Sequence, residues 1–417
     1  MPSPLRLSFA ETVRRAAGEA PAVELAGLRT DEAEARARQA RAALLPSLSA
    51  TAGWVNRDFN SKAQGISFPG VPTIIGPFNA YDARLRVTQT LFDLSSMARV
   101  RAAHAQVTGA SADGGATAEG AAANAAFAYL RAARAAAVVA ARQADSAIAA
   151  ELVGLAQAQK AAGVSAAIDV TRARTQLVVA EGALVVARNQ LDRGRLDVTR
   201  VLGLDPTTAL ELTDTLRATL PGADVPAAPD AIVALALARR PDLEAELARG
   251  DAARAGKSAI TAERLPRLDA AADYGVSGLT PSLAVGTRQV GVQVTIPILD
   301  GFRREGRAAE QAAVARESEV RARDLRHQVA ADVQAALLDQ ASAEAQQVIA
   351  AERLRLAADE LAQARERFAA GVAGNIEVID AQSSLLRARD TDIDARFAAA
   401  TARVALAHAA GVARTLH

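Results

Sequence analysis

Few side chains of this sequence have the types and spacing that catalysis requires. Gly250–Ser258 has the composition of a phosphate-binding loop, but five residues separate its two glycines where such a loop has four. Asp390–Asp394 begins like a calcium loop, but Ala395 stands where that loop needs glycine. The four histidines are dispersed and share no spacing typical of a zinc site. We therefore expect no catalytic residues, no metal and no cofactor, and the chain is not predicted to be an enzyme.

The composition instead favours long, slender helices. Of the 417 residues, 50% are apolar but only 3% are aromatic, so few large side chains are available for a conventional core. The net charge of +1 provides no field that would recruit nucleic acid, and the lack of cysteine excludes disulfides and thiolate metal sites. No apolar run approaches the about 18 residues of a transmembrane helix, and the first residues lack the apolar core of a signal peptide. The protein is expected to be cytosolic or to have lost a presequence.

An internal duplication organises these helices. Residues 150–203 align with residues 358–411 without a gap, at a shift of 208, and Gly163 then falls on Gly371. Further upstream the shift is 220, because the first copy contains a longer loop. A repeat of this size predicts two copies of one plan: a helix, two strands, a long helix and a second helix.

Four segments alternate apolar and polar residues with the period of two that a half-buried strand requires. Their apolar positions are Leu48, Ala50, Ala52 and Trp54; Tyr81, Ala83, Leu85 and Val87; Leu268, Ala270, Ala272 and Tyr274; and Val290, Val292, Val294, Ile296 and Ile298. Loops rich in proline and glycine separate the members of each pair, which predicts two hairpins. Residues 302–370 contain no proline and predict one long helix. In the first copy, Gly109, Gly114, Gly115 and Gly120 are expected to soften the matching helix by up to about 1 kcal/mol each.

The hairpins could be small sheets packed on helices, but three features favour a membrane. Eight of the 13 aromatic residues lie in or beside them, and we assign Trp54, Tyr81, Phe92 and Tyr274 to the membrane interface. Each strand has the roughly 9–11 residues that cross a bilayer. The polar faces of the two middle segments carry charges suited to a wet lumen, namely Arg84, Arg86, Arg267, Asp269 and Asp273. Four strands cannot close a barrel, and open strand edges do not occur in lipid. Several protomers must therefore contribute to one barrel.

The duplicated plan of two strands, a long helix and a further helix resembles the TolC family of outer-membrane efflux channels over nearly the whole chain. The resemblance implies a mainly α-helical protein with a β-barrel portion. In it, three copies form a homotrimer, their strands make one twelve-stranded barrel, and their coiled helices form a periplasmic tunnel. It further implies the outer membrane of a Gram-negative bacterium, contact with outer-membrane lipid, and partners in a periplasmic adaptor (membrane fusion) protein and an inner-membrane pump. The function implied is a passive exit duct of a tripartite efflux pump or a type I secretion system.

On this resemblance the chain divides into six segments. They are the N-terminal equatorial and periplasmic helices (1–45), the first membrane hairpin (46–93), the first long helix pair (94–203), an equatorial segment with the first helix of the second copy (204–265), the second membrane hairpin (266–301) and the second long helix pair (302–412).

The resemblance also assigns the turns between the long helices to the periplasmic tips. The expected contact surface for the adaptor is Gly163, Val164 and Ser165 in the first copy and Gly371, Val372 and Ala373 in the second. Residues around these turns correspond to a gate that narrows the tunnel, namely Asp169, Glu377 and Asp380, with Phe368 at the position of an aromatic. Arg172 could replace the basic gate partner, whose position Ala373 occupies here.

Two of these assignments have an alternative. In a threefold assembly each inward acid becomes a ring of three that attracts cations and repels anions. Asp169, Glu377 and Asp380 could instead merely stabilise the first turns of their helices, where acids interact well with the helix dipole. For the whole chain, the alternative is a soluble, elongated coiled-coil scaffold whose hairpins are docking tips.

Overall fold

The computed structural model describes residues 4–65, 69–70, 72–163, 165–216, 223, 225–372 and 374–417. In chain order, its helices and strands are β1 (Leu5–Leu7), α1 (Phe9–Glu19), α2 (Pro21–Ala42), β2 (Ser47–Asn60), β3 (Ile74–Phe92), α3 (Leu94–Ala161), α4 (Ala167–Val201), β4 (Leu210–Leu212), α5 (Pro229–Arg239), α6 (Pro241–Ala262), β5 (Arg267–Gly278), β6 (Val285–Thr295), α7 (Arg303–Ala369) and α8 (Asn375–Ala409). The chain forms two compact units, one comprising Met1–Arg29, Ser111–Ala245 and Ala322–His417, the other Thr30–Ala110 and Glu246–Arg321.

The second unit contains an antiparallel sheet in the order β2-β3-β5-β6. Both predicted hairpins are present, with Trp54 opposite Tyr81 in the first and Tyr274 opposite Arg288 in the second. The pairing of β3 with β5 joins the two copies of the duplication into one sheet. The predicted end of the last strand was wrong, because β6 stops at Thr295 and leaves Ile296 and Ile298 outside it. Pro297, which has no N–H to donate to a ladder, lies between those two residues.

The first unit has a core that is largely built from alanine. Its largest fully buried side chain is that of Tyr129, which packs edge-on against Phe9 at a centroid distance of 5.8 Å. The Tyr129 hydroxyl lies 3.2 Å from the Leu7 carbonyl oxygen and 3.1 Å from Asp214 Oδ2, and it accepts a bond from the Asp214 N–H. These bonds fix β1, which pairs in parallel with β4, against the long helix α3.

Four glycines show the duplication in three dimensions. Gly163, Gly203, Gly371 and Gly411 all have φ between 68° and 75°, the left-handed conformation that favours glycine. After α7, the Gly371 N–H donates to the Phe368 carbonyl and the Val372 N–H to the Arg367 carbonyl, which is the complete Schellman pattern for ending a helix. Each copy thus ends its long helices with the same backbone device.

The glycine-rich stretch was predicted to soften the first long helix, but α3 runs without a break from Leu94 to Ala161. At Gly115 a Cβ atom would lie 3.2 Å from the Pro241 side chain, so the missing side chain permits a close approach of α6. Tertiary packing here outweighs the weak helix propensity of glycine. Among the described residues, none of the helices is both long enough and apolar enough to cross a membrane.

Candidate transmembrane sheet and helix tips

One face of the four-stranded sheet is apolar and open to the surroundings of the protomer. Val290 is 78% exposed and Leu48 is 70% exposed, although both belong to side-chain types that normally lie inside proteins. The other exposed apolar side chains of this face are Trp54, Leu85, Val87, Tyr274, Val292 and Val294. A contiguous apolar face of this kind marks a site of contact with protein or membrane.

The opposite face carries a network of ion pairs. Arg84 donates to both oxygens of Asp82 at 3.0 and 2.9 Å and reaches Asp273 across the β3–β5 pair at 3.0 Å. Arg86 lies 3.8 Å from Asp273, and Arg267 contacts Asp269 at 2.7 Å. The ion pairs therefore gather on one face and the apolar residues on the other, with Arg288, opposite Tyr274, as a charged residue on the apolar face. This is the pattern of strands that separate lipid from a wet lumen.

The sheet has two open edges in the described part of the chain. β2 pairs only with β3, and β6 pairs only with β5. Their outer N–H and C=O groups have no strand beside them, and such groups cannot remain unpaired in hydrocarbon. The arrangement requires further strands at both edges if the apolar face contacts lipid.

The four aromatic residues assigned to the interface lie at different levels of the sheet. Trp54 and Tyr81 form one cross-strand pair, and Phe92 lies eleven residues after Tyr81 on β3. At about 3.4 Å per residue this is roughly 37 Å of strand, or roughly 26 Å of height at a tilt near 45°. That height matches an apolar band of about 25 Å with an aromatic at each border. Tyr274 pairs with Leu85 and lies between the two levels.

The helix tips, in the first unit, are stabilised by an apolar cluster shared by four helices. Leu152 and Ala156 of α3, Val170 of α4, Leu361 and Phe368 of α7, and Val378 and Leu385 of α8 all belong to it. Phe368 is thus buried in the protomer, and its carbonyl oxygen accepts a bond from Gln159 Nε2 at 3.1 Å. The aromatic predicted for the gate acts here as packing beneath the tip.

The acids predicted for the gate differ in their partners. Glu377 Oε1 lies 3.1 Å from Arg367 Nε, so an ion pair joins the last turn of α7 to the first turn of α8. Asp380 is exposed and has no hydrogen-bond or ion-pair partner among the described residues. Asp169 accepts a bond from the Ser165 hydroxyl at 3.0 Å and lies 3.7 Å from Arg172 Nη1.

Arg172 is therefore a local partner of Asp169, one turn away on α4, and Arg367 is a basic tip residue that sequence reasoning missed. Arg367 precedes the Gly371 turn by four residues, and Glu377 follows it by six. Only the reversal of the chain at that turn brings the two side chains together. A charged residue on each side of a helix-ending glycine is the signal that could have indicated the pair.

Most of the residues predicted to contact the adaptor are exposed where the structure describes them. Gly163 and Gly371 are exposed, Val372 is 72% exposed, and Ser165 is half-buried. Val164 and Ala373 lie outside the described residues. The described tip residues thus present backbone and one apolar side chain to the surroundings.

Comparison with known proteins gives one consistent result for both halves of the chain. A family model described as outer membrane efflux protein matches residues 12–204 and 232–412. Protein CyaE of Bordetella pertussis (strain Tohama I) is 28% identical over 418 residues, which are 97% of this chain and 84% of CyaE.

Solved structures with the same fold include two outer-membrane proteins. The outer membrane protein VceC of Vibrio cholerae superposes with a TM-score of 0.80 at 20% identity and covers 97% of this chain and 96% of its own. The MtrE outer membrane channel of Neisseria gonorrhoeae, in its open state, superposes with a TM-score of 0.81 at 17% identity. The superposition covers 98% of this chain and 90% of the MtrE chain. These likenesses confirm the predicted combination of long helices with a strand domain.

Proposed function

Because the chain belongs to the outer membrane efflux protein family, it is an outer-membrane channel, and we propose that three copies of it close one barrel that leads into one tunnel. Its function is that of an exit duct in an efflux or secretion system. The family is one of channel proteins, and the soluble scaffold considered above is wrong for this chain. The number of copies in the channel, the docking of partner proteins and the gate go beyond what family membership establishes.

The observation that carries the proposal is the sheet with one apolar face, one charged face and two open edges. Exposed valines of β6 and exposed Leu48 and Trp54 of β2 place the apolar face at both edge strands. If β6 of one copy pairs with β2 of the next, the ladder closes without any unpaired backbone group in lipid. Three copies of four strands then give a barrel of twelve, wide enough to enclose the charged face.

For the periplasmic end, we propose that the tips are the docking surface for an adaptor protein. The chain has no nucleotide-binding motif, so transport energy must come from partners. Val372 is a large apolar side chain at the end of a rigid Schellman turn, and an apolar partner residue would bury it. The specificity of a passive duct lies with the pump that feeds it, so drugs, metal ions and secreted proteins are the classes of cargo to test.

Replacement of Val372 by glutamate tests the docking surface. Because the charge would be buried against an apolar partner, we expect Val372→Glu to abolish export by the assembled pump while the protein still reaches the outer membrane in its normal oligomeric state. Val372→Ala should retain most export. Leu279→Glu, which places the same charge at an exposed apolar residue of the β5–β6 loop, is the matched control. Normal export by Val372→Glu would contradict the docking proposal.

A further inference from the structure

The segment between β6 and α7 exposes more apolar surface than any requirement of the protomer explains. Ile298 is 92% exposed, Leu299 is 79% exposed and Phe302 is 74% exposed. These residues lie outside the strands, since β6 ends at Thr295 and α7 begins at Arg303. The segment belongs wholly to the second unit, together with the sheet it follows.

Phe302 also has an unfavourable backbone conformation. Its φ is +63°, and among the described residues no other non-glycine residue has a positive φ. For a bulky residue this conformation costs on the order of 1–2 kcal/mol, which glycine would not incur. The side chain makes no compensating burial within the protomer, so a compensating contact must come from outside it.

The conformation is held in place by its neighbours. Asp300 Oδ2 accepts bonds from the Arg304 backbone N–H at 3.1 Å and from Arg304 Nε at 2.8 Å. Arg304 in turn donates to the carbonyl oxygens of Glu263 and Pro297 at 3.3 and 3.4 Å. These bonds hold the backbone on both sides of Phe302.

Two features identify lipid as the compensating contact. Ile298 continues the even-numbered series of Val290, Val292 and Val294 on the apolar face, beyond the end of the strand. In the duplication, Asp300 corresponds to Asp93 and Leu299 to Phe92, at the border of the apolar band, and Phe302 follows Leu299 by three residues. The segment is therefore continuous with the surface proposed to face the membrane.

The adjacent cation fits a lipid headgroup. Arg303 is exposed and forms no close salt bridge with a described residue, although its charge acts on nearby Asp300, whereas Arg264 in the same unit is paired with Glu305. An arginine beside exposed apolar side chains at a membrane border binds phosphate while the apolar groups contact acyl chains.

We propose that Ile298, Leu299, Phe302 and Arg303 form a binding site for an anionic phospholipid at the end of the sheet that leads into α7. This site, the lipid anchor, rests on the proposed insertion of the sheet into the membrane. The acyl chains cover Ile298, Leu299 and Phe302, and Arg303 binds the headgroup phosphate. The contact with lipid offsets the strain at Phe302.

Single-tryptophan fluorescence tests the position of the lipid anchor. The wild-type chain has one tryptophan, Trp54, so the protein itself reports whether the sheet enters the bilayer. In proteoliposomes containing phospholipids brominated on their acyl chains, we expect quenching of Trp54 in the wild type. We expect comparable quenching in the Trp54→Phe, Phe302→Trp double variant. The control is Trp54→Phe with Ile349→Trp, on an exposed position of α7 in the first unit, and it should not be quenched.

The outcomes separate the lipid anchor from the proposed function. If Trp54 is quenched but the tryptophan at position 302 is quenched only by aqueous iodide, the site faces water and the lipid anchor is refuted. If the tryptophan at position 302 is shielded from both the brominated lipid and iodide, a second copy of the chain covers it, and the proposed lipid anchor is equally wrong. If Trp54 itself is not quenched, the sheet is not in the bilayer and the proposed function fails as well.

Two further variants test the roles of the ring and the cation. Phe302→Gly removes the strain, so in lipid-free detergent it should unfold at the same temperature as the wild type or higher, but added phospholipid should stabilise it less. Arg303→Gln should lower binding of an anionic phospholipid, measured by native mass spectrometry, about five-fold. Arg316→Gln, at an exposed arginine further along α7 that has no ion pair within the described part of the chain, should bind like the wild type. Equal lipid stabilisation of the wild type and Phe302→Gly would overturn the role of the ring.

Discussion

At the level of single residues, the tip acids are held in unequal ways, and this inequality has a consequence for ion selectivity. Glu377 is paired with Arg367 at 3.1 Å, whereas Asp380 is exposed without a partner among the described residues. Both members of the pair are largely exposed, and exposed pairs contribute about 0–1 kcal/mol to stability. Their substitution should therefore change charge at the tip without unfolding the protein.

If Glu377 and Asp380 line the gate, neutralising both should lower the preference for cations over anions in single-channel recordings. Arg367→Gln should have the opposite effect, because it removes the positive charge that now offsets Glu377. Glu352→Gln on α7, whose acid is paired with Arg355 at 2.7 Å, is the matched control and should change nothing. An unchanged reversal potential in the Glu377→Gln, Asp380→Asn double variant would refute the acid ring.

A second residue controls stability at alkaline pH. Burial raises the pKa of Tyr129 to about 12, from an ordinary value near 10. Because the pKa is higher in the folded state, the neutral hydroxyl stabilises the fold fully below about pH 10, and this contribution is lost as the pH rises from about 10 to 12. The difference between the two pKa values corresponds to about 2–3 kcal/mol in the free energy of unfolding. The melting temperature of Tyr129→Phe should fall less steeply than that of the wild type over this interval, whereas Tyr274→Phe, at an exposed tyrosine, should match the wild type. Parallel pH profiles for the Tyr129→Phe variant and the wild type would contradict this assignment.

At the level of elements, the patterns that recur along the chain could be predicted from sequence. The period of two in the strands and the repeated glycines at the helix ends follow from local backbone geometry, and both hairpins and the tip turns were found where the sequence predicted them. The lengths of the strands were harder to predict from sequence. β3 has 19 residues, because pairing with two neighbouring strands extends it beyond the stretch that alternates apolar and polar residues.

Other features depend on packing that no single segment encodes. In the continuous helix α3, Gly115 packs against Pro241, which is distant in sequence. The burial of Phe368 depends on Leu152, Leu361 and Val378, which come from three different helices. The pair of Arg367 with Glu377 requires the chain reversal between them. In each case the residues come from different segments of the chain and come into contact only when the chain is folded.

At the level of the whole molecule, the open edges of the sheet set the number of copies. The chain contains no cysteine, so two introduced cysteines would be the only thiols in the protein. Thr51 on the polar face of β2 and Gln289 or Gln293 on the polar face of β6 lie on the two edge strands. Neighbouring strands in a sheet are about 4.8 Å apart, within the Cα separation that a disulfide can bridge.

We therefore expect oxidation of Thr51→Cys combined with Gln289→Cys or Gln293→Cys to link copies into a species of three times 43.1 kDa and no larger. The two β6 positions sample different registers, and only the one that faces Thr51 across the seam should cross-link efficiently. Thr90→Cys on the inner strand β3, combined with the same β6 cysteines, is the control and should leave monomers, because β2 and β5 separate β3 from any neighbouring copy. If three copies close the barrel, the series of cross-linked species should end at the trimer. Cross-linked species larger than a trimer would mean that the edge strands pair without closing a barrel. A protein that stayed monomeric with both cysteine combinations would mean that β6 and β2 do not meet.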